Sequence, residues 1–269
     1  MSCMTAWGPT PMAERNGAAR IVGPPLVLVI LLLVVWEAVL WLDPPLQLML
    51  ARPTAIAATL VERRDILGGA ALATLEITLA GFVLSVIVGA GLALLIARFS
   101  LFERAAYPLV VLFQTVPKVA LAPIFILWFG FGLTPKILLI TVIAFFPITL
   151  NLLAGFRATD PNLVLLMRTV GASPTRTLLR IKLPGALPEF FAGAKIAITF
   201  AVIGAIVAEF AGASNGLGYL IQFGSTQLDT PLLFAALFLV SAIGVALYYG
   251  VVLLERLLLP WAIEGGAAA

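Results

Sequence analysis

The sequence predicts an all-α polytopic membrane protein with six transmembrane helices and one long cytoplasmic loop, and three observations lead there. Of the 269 residues, 62% are hydrophobic and 11% charged, against roughly 25% charged in a soluble domain; the mean hydropathy is +1.14. The apolar residues fall in runs of about 20, the length that crosses a hydrocarbon layer of roughly 30 Å. Only one long polar stretch interrupts them, from Asp160 to Pro184, and it carries Arg168, Arg176, Arg180 and Lys182.

Residues 1–20, with Glu14, Arg15 and Arg20, read as a mobile cytoplasmic tail. The apolar run from Ile21 to Leu42 exceeds the roughly 7 to 15 residues of a signal-peptide core and has no small-x-small cleavage site close behind it, which predicts a retained first span. Glu37 lies near its outer end. Asp43 to Gly69, with Pro44, Pro45, Pro53 and the cluster Glu62-Arg63-Arg64-Asp65, reads as an external loop with a short helix. Ala70 to Ala97 is the second span, in which Gly81, Gly89 and Gly91 permit close helix packing.

Arg98 to Arg104 is a short basic turn, and from Ala105 the chain enters a third span broken by Pro117, Lys118 and Pro123 before Trp128. Two prolines and a lysine are costly in a bilayer unless the segment faces protein or water, so this span is predicted to line a pathway, with Gln114 and Lys118 as its polar surface. Thr134-Pro135-Lys136 makes a turn before the fourth span, Ile137 to Phe156, bent at Pro147. The fifth runs from near Gly185 to Phe210 and holds Glu189, Lys195 and Glu209; the last of these, near the outer end, is placed to pair with Lys118 or border the pathway. Ala211 to Thr230 is a Gly- and Ser-rich outer loop, and Pro231 to Leu254 is the sixth span, closed by Glu255-Arg256. The spans therefore form one domain, 21–260, followed by a C-terminal tail, 261–269.

The polar loop, 157–184, has its own structure. Asp160 caps a helix that starts with Pro161, and Leu163, Leu166, Met167 and Val170 share one face at i, i+3, i+4 and i+7. Gly171 ends that helix; Ser173 caps a second with Pro174 in its first turn and Leu178 and Leu179 on its buried side, until Pro184 prevents it continuing unkinked. The apolar face is expected to pack on the spans, leaving Gly171 to Pro174 as an exposed tip. Placing the N-terminus inside puts ten basic residues on the inner segments (Arg15, Arg20, Arg98, Arg104, Arg157, Arg168, Arg176, Arg180, Lys182 and Arg256) and four on the outer ones (Arg52, Arg63, Arg64 and Lys136). That asymmetry predicts a cytoplasmic loop and cytoplasmic termini.

Several chemistries are excluded. The pI near 9.3 reflects basic residues between apolar spans, so no nucleic-acid partner is implied; the lipid bilayer is the implied surroundings. There is no histidine, and Cys3 is the single cysteine, which disfavours metal and Ser-His-Asp chemistry; no catalytic residue, metal site or cofactor is expected. None of Lys118, Lys136, Lys182 or Lys195 is followed by Ser or Thr, so the phosphate-cradling motif of an ATPase is absent. No self-similarity between the halves supports the alternative, a secondary transporter.

The polar loop resembles the cytoplasmic coupling loop of ABC importer permeases. Gly171, nine residues, then Ile181-Lys182-Leu183-Pro184 match the glycine and Ile-x-Leu-Pro half of the family signature, while Leu165 stands where its glutamate is expected. The stretch 114–132, QTVPKVALAPIFILWFGFG, and Gly216-Leu217-Gly218-Tyr219 look like the nitrate, sulfonate and bicarbonate (taurine-type) branch. The resemblance implies a type I importer permease in a bacterial inner membrane, working as one of two permease copies with two cytoplasmic ATPase subunits and an external solute-binding protein. It also implies ATPase coupling through Arg168, Gly171, Ala172, Ser173, Pro174, Arg176, Ile181, Leu183 and Pro184. The solute class implied is a small anion, such as a sulfonate or nitrate, or an aromatic vitamin precursor such as the pyrimidine of thiamine.

Overall fold

The structure is a computed structural model that describes residues 15–99, 112 and 115–260. The predicted terminal tails (apart from 15–20), most of the basic turn after Arg98, the opening of the third span and Gln114 lie outside the described residues. Every regular element among the described residues is helical. In chain order these are α1 (Arg15–Leu42), a 3-10 turn (Pro44–Leu48), α2 (Pro53–Glu62) and α3 (Arg64–Arg98). A second 3-10 turn (Lys118–Leu121) leads into α4 (Ala122–Phe129), followed by α5 (Leu133–Arg157). The polar loop contributes α6 (Pro161–Thr169), α7 (Pro174–Thr177), a π-turn (Leu178–Lys182) and α8 (Leu183–Gly185). Last come α9 (Leu187–Gly212), α10 (Leu217–Thr226) and α11 (Thr230–Leu258).

Four of these, α3, α5, α9 and α11, are long and apolar enough to cross a membrane, and the bent pair Val27–Leu42 with Pro45–Glu62, meeting at 111°, raises the number to as many as five. The predicted third span is represented by the short apolar helix Lys118–Phe129. Several readings change: α1 already begins at Arg15, inside the predicted tail, and Thr134-Pro135-Lys136, predicted as a turn, lie in the first turn of α5. The second helix starts at Arg64, six residues before its predicted start, because Leu67 and Ala70 are buried in a cluster with Leu217, Leu232 and Ala235. The Gly- and Ser-rich outer loop holds a helix, α10, whose Leu217 and Leu220 lie in that same cluster.

The core is a three-helix layer of α3, α5 and α9, made compact by missing side chains. A Cβ added to Gly89 would lie 2.6 Å from the Phe145 carbonyl oxygen and 3.0 Å from Ile148 Cβ, and one on Gly81 would run into Ile140. On α9, a Cβ at Gly193 would stand 2.8 Å from the Pro147 carbonyl, and one at Gly204 would stand 3.2 Å from Ile140 Cα. The helices thus approach backbone to backbone, and the Thr141 and Thr149 hydroxyls reach across to the carbonyls of Gly81 and Gly89 at 3.4 and 3.1 Å. Small residues at four-residue spacing make this possible: Gly81, Ser85, Gly89 and Ala93 on α3, and Gly193, Ala197, Ala201 and Ala205 on α9.

These meetings fix directions. Gly81 faces Ile140 and Gly89 faces Ile148, so α3 and α5 run parallel. Gly155 faces Ala186, Gly193 faces Ile148 and Gly204 faces Ile140, so α9 runs antiparallel to both. Lys195 pairs with Glu255 while Gly244 nears Val202, so α11 runs antiparallel to α9. The bundle therefore has one end with the start of α3, the end of α9, and α10, and another with Arg98, Arg157, the polar loop and Arg256.

Glycines of the same helix are predicted to differ sharply. Gly89→Leu should lower stability by about 1–3 kcal/mol by overpacking, whereas Gly91→Leu, at a position with nothing within 4 Å, should be near neutral. Thermal unfolding of the two variants in detergent checks this.

Candidate functional site

The polar loop folds as its punctuation requires. Asp160 accepts from the Asn162 backbone N–H at 2.8 Å, and Pro161 occupies the first turn of α6, where its missing N–H costs nothing. Beyond Thr169 the chain turns through Gly171, with φ of 73°. The Ala172 N–H donates to the Met167 carbonyl (2.9 Å) and the Gly171 N–H to that of Arg168 (3.0 Å), the paired bonds of a Schellman cap. Ser173 then accepts from the Arg176 N–H at 3.3 Å, with Pro174 behind it. Pro184 has no N–H to continue an α-helical ladder. The helix accommodates it by widening into the π-turn over Leu178–Lys182 and continues to Gly185, further than expected.

Two expectations about burial are corrected. Leu178 is buried but Leu179 is exposed. More consequentially, no residue of α6 is buried: Leu163, Leu166 and Val170 are 45%, 59% and 70% exposed and only Met167 of the predicted face is half-buried, so most of this face is left uncovered by the spans. Its periodicity identified an apolar face correctly and could not say what covers it. Arg168, Gly171, Ser173, Pro174, Arg176 and Pro184 are exposed, whereas Ala172, Ile181 and Leu183 are half-buried. Behind α6 opens a cleft of about 640 Å³ lined by Arg157, Asn162, Arg168 and Lys182 among others, and Arg98 tethers the neighbouring turn by donating to the Thr175 hydroxyl at 3.0 Å.

The intramembrane charges are paired differently from the sequence reading. Glu209 does not meet Lys118. Its carboxylate, on a residue only 1% exposed, accepts from the Thr74 hydroxyl at 2.8 Å and the Gly218 N–H at 2.6 Å. Lys118 instead lies over the Phe146 ring, its Nζ 5.9 Å from the centroid. Depth is the reason: Gly204 and Ile140 are level, so Glu209 sits five residues toward one end and Phe146 six toward the other, about 16 Å of helix rise apart. Lys195 pairs with Glu255 at 2.9 Å. Thr74, Glu255 and the carboxylate-contacting Gly216 and Gly218 were missed, since spacing along the chain carries no signal for partners 135 or 60 residues apart.

At the end away from the polar loop, Glu37 caps α2 by accepting from the Thr54 N–H (3.1 Å) and hydroxyl (2.8 Å), and Asp229 both caps α11 and pairs with Arg63 at 2.6 Å. Residues 81–260 match the family described as binding-protein-dependent transport system inner membrane component. The chain belongs to that family.

It is the membrane-spanning permease subunit of an ABC importer, of the taurine-type branch, and such permeases work with ATPase subunits and a solute-binding protein. It is 38% identical to the formylaminopyrimidine transport permease protein ThiX of Halalkalibacterium halodurans over 239 residues, covering 88% of this chain and 95% of that one. It is 36% identical to the riboflavin transport system permease protein RibX of Chloroflexus aurantiacus over 237 residues, covering 87% and 88%. Against the putative aliphatic sulfonates transport permease protein SsuC of Bacillus subtilis identity is 33% over 240 residues, covering 88% and 86%. Among solved structures, the inward-facing MetNI methionine ABC transporter aligns with a TM-score of 0.56 at 21% identity, over 71% of this chain and 98% of that one, which shows the shared fold.

The Lys195–Glu255 pair yields a prediction, because both side chains are largely shielded. Lys195→Glu or Glu255→Lys should each cost about 3–5 kcal/mol by leaving like charges together out of water, and the double exchange should recover most of it. Membrane abundance and melting temperature of the three permeases measure the coupling.

Proposed function

We propose that the segment 157–184 is the lever through which this permease is driven by a separate ATPase. The observation that carries the reading is the uncovered apolar ridge of α6, Leu163, Leu166 and Val170, leading to the exposed tip at Gly171, Ser173 and Pro174. An apolar face of this kind requires a partner, and the family supplies one in the ATPase subunit. Arg168 and Arg176 flank the ridge and tip, and half-buried Ala172, Ile181 and Leu183 with Pro184 set the angle at which the lever leaves the bundle. Nucleotide-driven closure of two ATPase subunits would then move the spans and alternate access. ATP is hydrolysed in those subunits, and this chain has no chemistry of its own.

Six spans are favoured by the directions of the helices. With α3 and α5 parallel, the chain between them must return across the membrane, and α4 with its preceding 3-10 turn is the described part of that return. Lys118 and Gln114 then belong to the solute pathway. Charge favours the orientation: Arg98, Arg157, Arg168, Arg176, Arg180, Lys182 and Arg256 gather at the lever's end, which becomes the cytoplasmic one, with both termini on that side of the bacterial inner membrane. Two copies of this chain would form the channel. The named relatives favour an aromatic vitamin precursor of the formylaminopyrimidine type as the solute, with a sulfonate as the second choice.

A reporter fused after Arg180 is predicted to be cytoplasmic and one inserted after Asn215 external; both on one side would exclude this topology. Gly171→Val places a β-branched residue at a φ of 73°, at a cost of about 1–3 kcal/mol. Since about 1.4 kcal/mol is tenfold in affinity, ATPase co-purification and uptake of labelled formylaminopyrimidine should fall while the spans still insert. Undiminished assembly and uptake would remove this loop from the mechanism.

A further inference from the structure

Glu209 is, among the described residues, the only acidic or basic residue that is buried, and it has no ion-pair partner among them. Its two oxygens do separate things. Oε1 accepts from the Thr74 hydroxyl (2.8 Å) and Oε2 from the Gly218 N–H (2.6 Å), while the Thr74 oxygen itself accepts from the Leu217 N–H (2.8 Å). Leu217 and Gly218 are the first two residues of α10, whose N–H groups have no acceptor within the helix. They are served instead by a side chain from α9 and one from α3, with the carboxylate at the positive end of the helix.

The Gly-Leu-Gly-Tyr sequence is shaped for this carboxylate. Gly216 has φ of 120°, and a Cβ on it would fall on the Glu209 carboxylate; a Cβ on Gly218 would stand 2.8 Å from Oε2. Leu217 and Leu220 already bury α10 against α3 and α11, so apolar packing alone would hold the helix down. Burying a carboxylate is costly, and what its directional bonds add is a fixed register of α10 against two spans at once. Glu209 and Thr74 sit at the end of α3 and α9 opposite the lever, where α10 presents Tyr219 stacked on the half-exposed Phe223 (centroids 6.0 Å apart).

We propose that Glu209 and Thr74 are positioning residues of the import cycle, clamping α10 to α9 and α3 so that docking of the external binding protein is transmitted to the spans. This rests on the orientation and coupling proposed above. The clamp is rigid and polar, and its removal separates the outer signal from the inner machinery without dissolving the bundle.

The test uses the complete transporter, permease with its ATPase and binding protein, in proteoliposomes. Glu209→Gln and Thr74→Val both keep side-chain volume, and Thr74→Ser keeps the hydroxyl. Basal ATP hydrolysis and complex yield should be unchanged in all three, while stimulation of hydrolysis by the loaded binding protein and solute uptake fall at least about tenfold in Glu209→Gln and Thr74→Val and are retained in Thr74→Ser. The double variant should be no worse than the more severe single one, as for two parts of one device. Wild-type stimulation in both Glu209→Gln and Thr74→Val overturns the proposal. So does a parallel fall of yield, basal and stimulated rates, which would reduce the pair to structural support. If the unaltered permease fails to assemble with the ATPase, the coupling reading fails instead, independently of the clamp.

Discussion

The distance between α3, α5 and α9 is set by atoms that are not there. Gly81, Gly89, Gly193 and Gly204 let the three backbones touch, and the rest of the architecture depends on that approach. In a bilayer the lipid is as apolar as the side chains, so close dispersion contact and interhelical hydrogen bonds must hold helices together. The Thr141 and Thr149 hydroxyls use the same proximity to reach carbonyls on α3. A layer so tight gives the two ends of the bundle a rigid connection along α3, α5 and α9.

The two ends are built on different principles. One is closed by directional bonds: Glu209 and Thr74 on α10, Glu37 on α2, Asp229 on α11 and Arg63. The other carries the polar loop, with exposed leucines and a row of cations. Under the coupling and orientation proposed above, the first end holds a shape for a binding protein and the second offers a surface to an ATPase.

Much of this was legible in the chain. Runs of apolar residues placed the long helices, and Asp160-Pro161, Gly171 and Ser173-Pro174 placed the polar loop's caps and turn, because these signals are local and act through backbone geometry. What escaped was the third dimension. The glycines of 211–230 marked only an outer loop, yet Gly216 and Gly218 are small because a carboxylate occupies the space, and Gly224 because the Asp229 carbonyl is 3.0 Å from where its Cβ would be. Glu209 was placed to pair with Lys118 or border the pathway, and the register of α5 on α9 separates the two side chains. The apolar stripe of α6 was visible; its exposure was not, since periodicity is silent on partners.

The parallel contact of α3 with α5 also sets a problem of timing during synthesis. The hydroxyls that meet Gly81 and Gly89 lie 60 residues downstream. At about 5–20 residues per second, some 3–12 s separate emergence of the two halves of this contact. For that interval α3 rests in the membrane with its glycine seam facing lipid or the insertion machinery, and a competing helix with small residues could occupy it. Biogenesis of the permease thus has a vulnerable window, opened by the very feature that makes the finished bundle rigid.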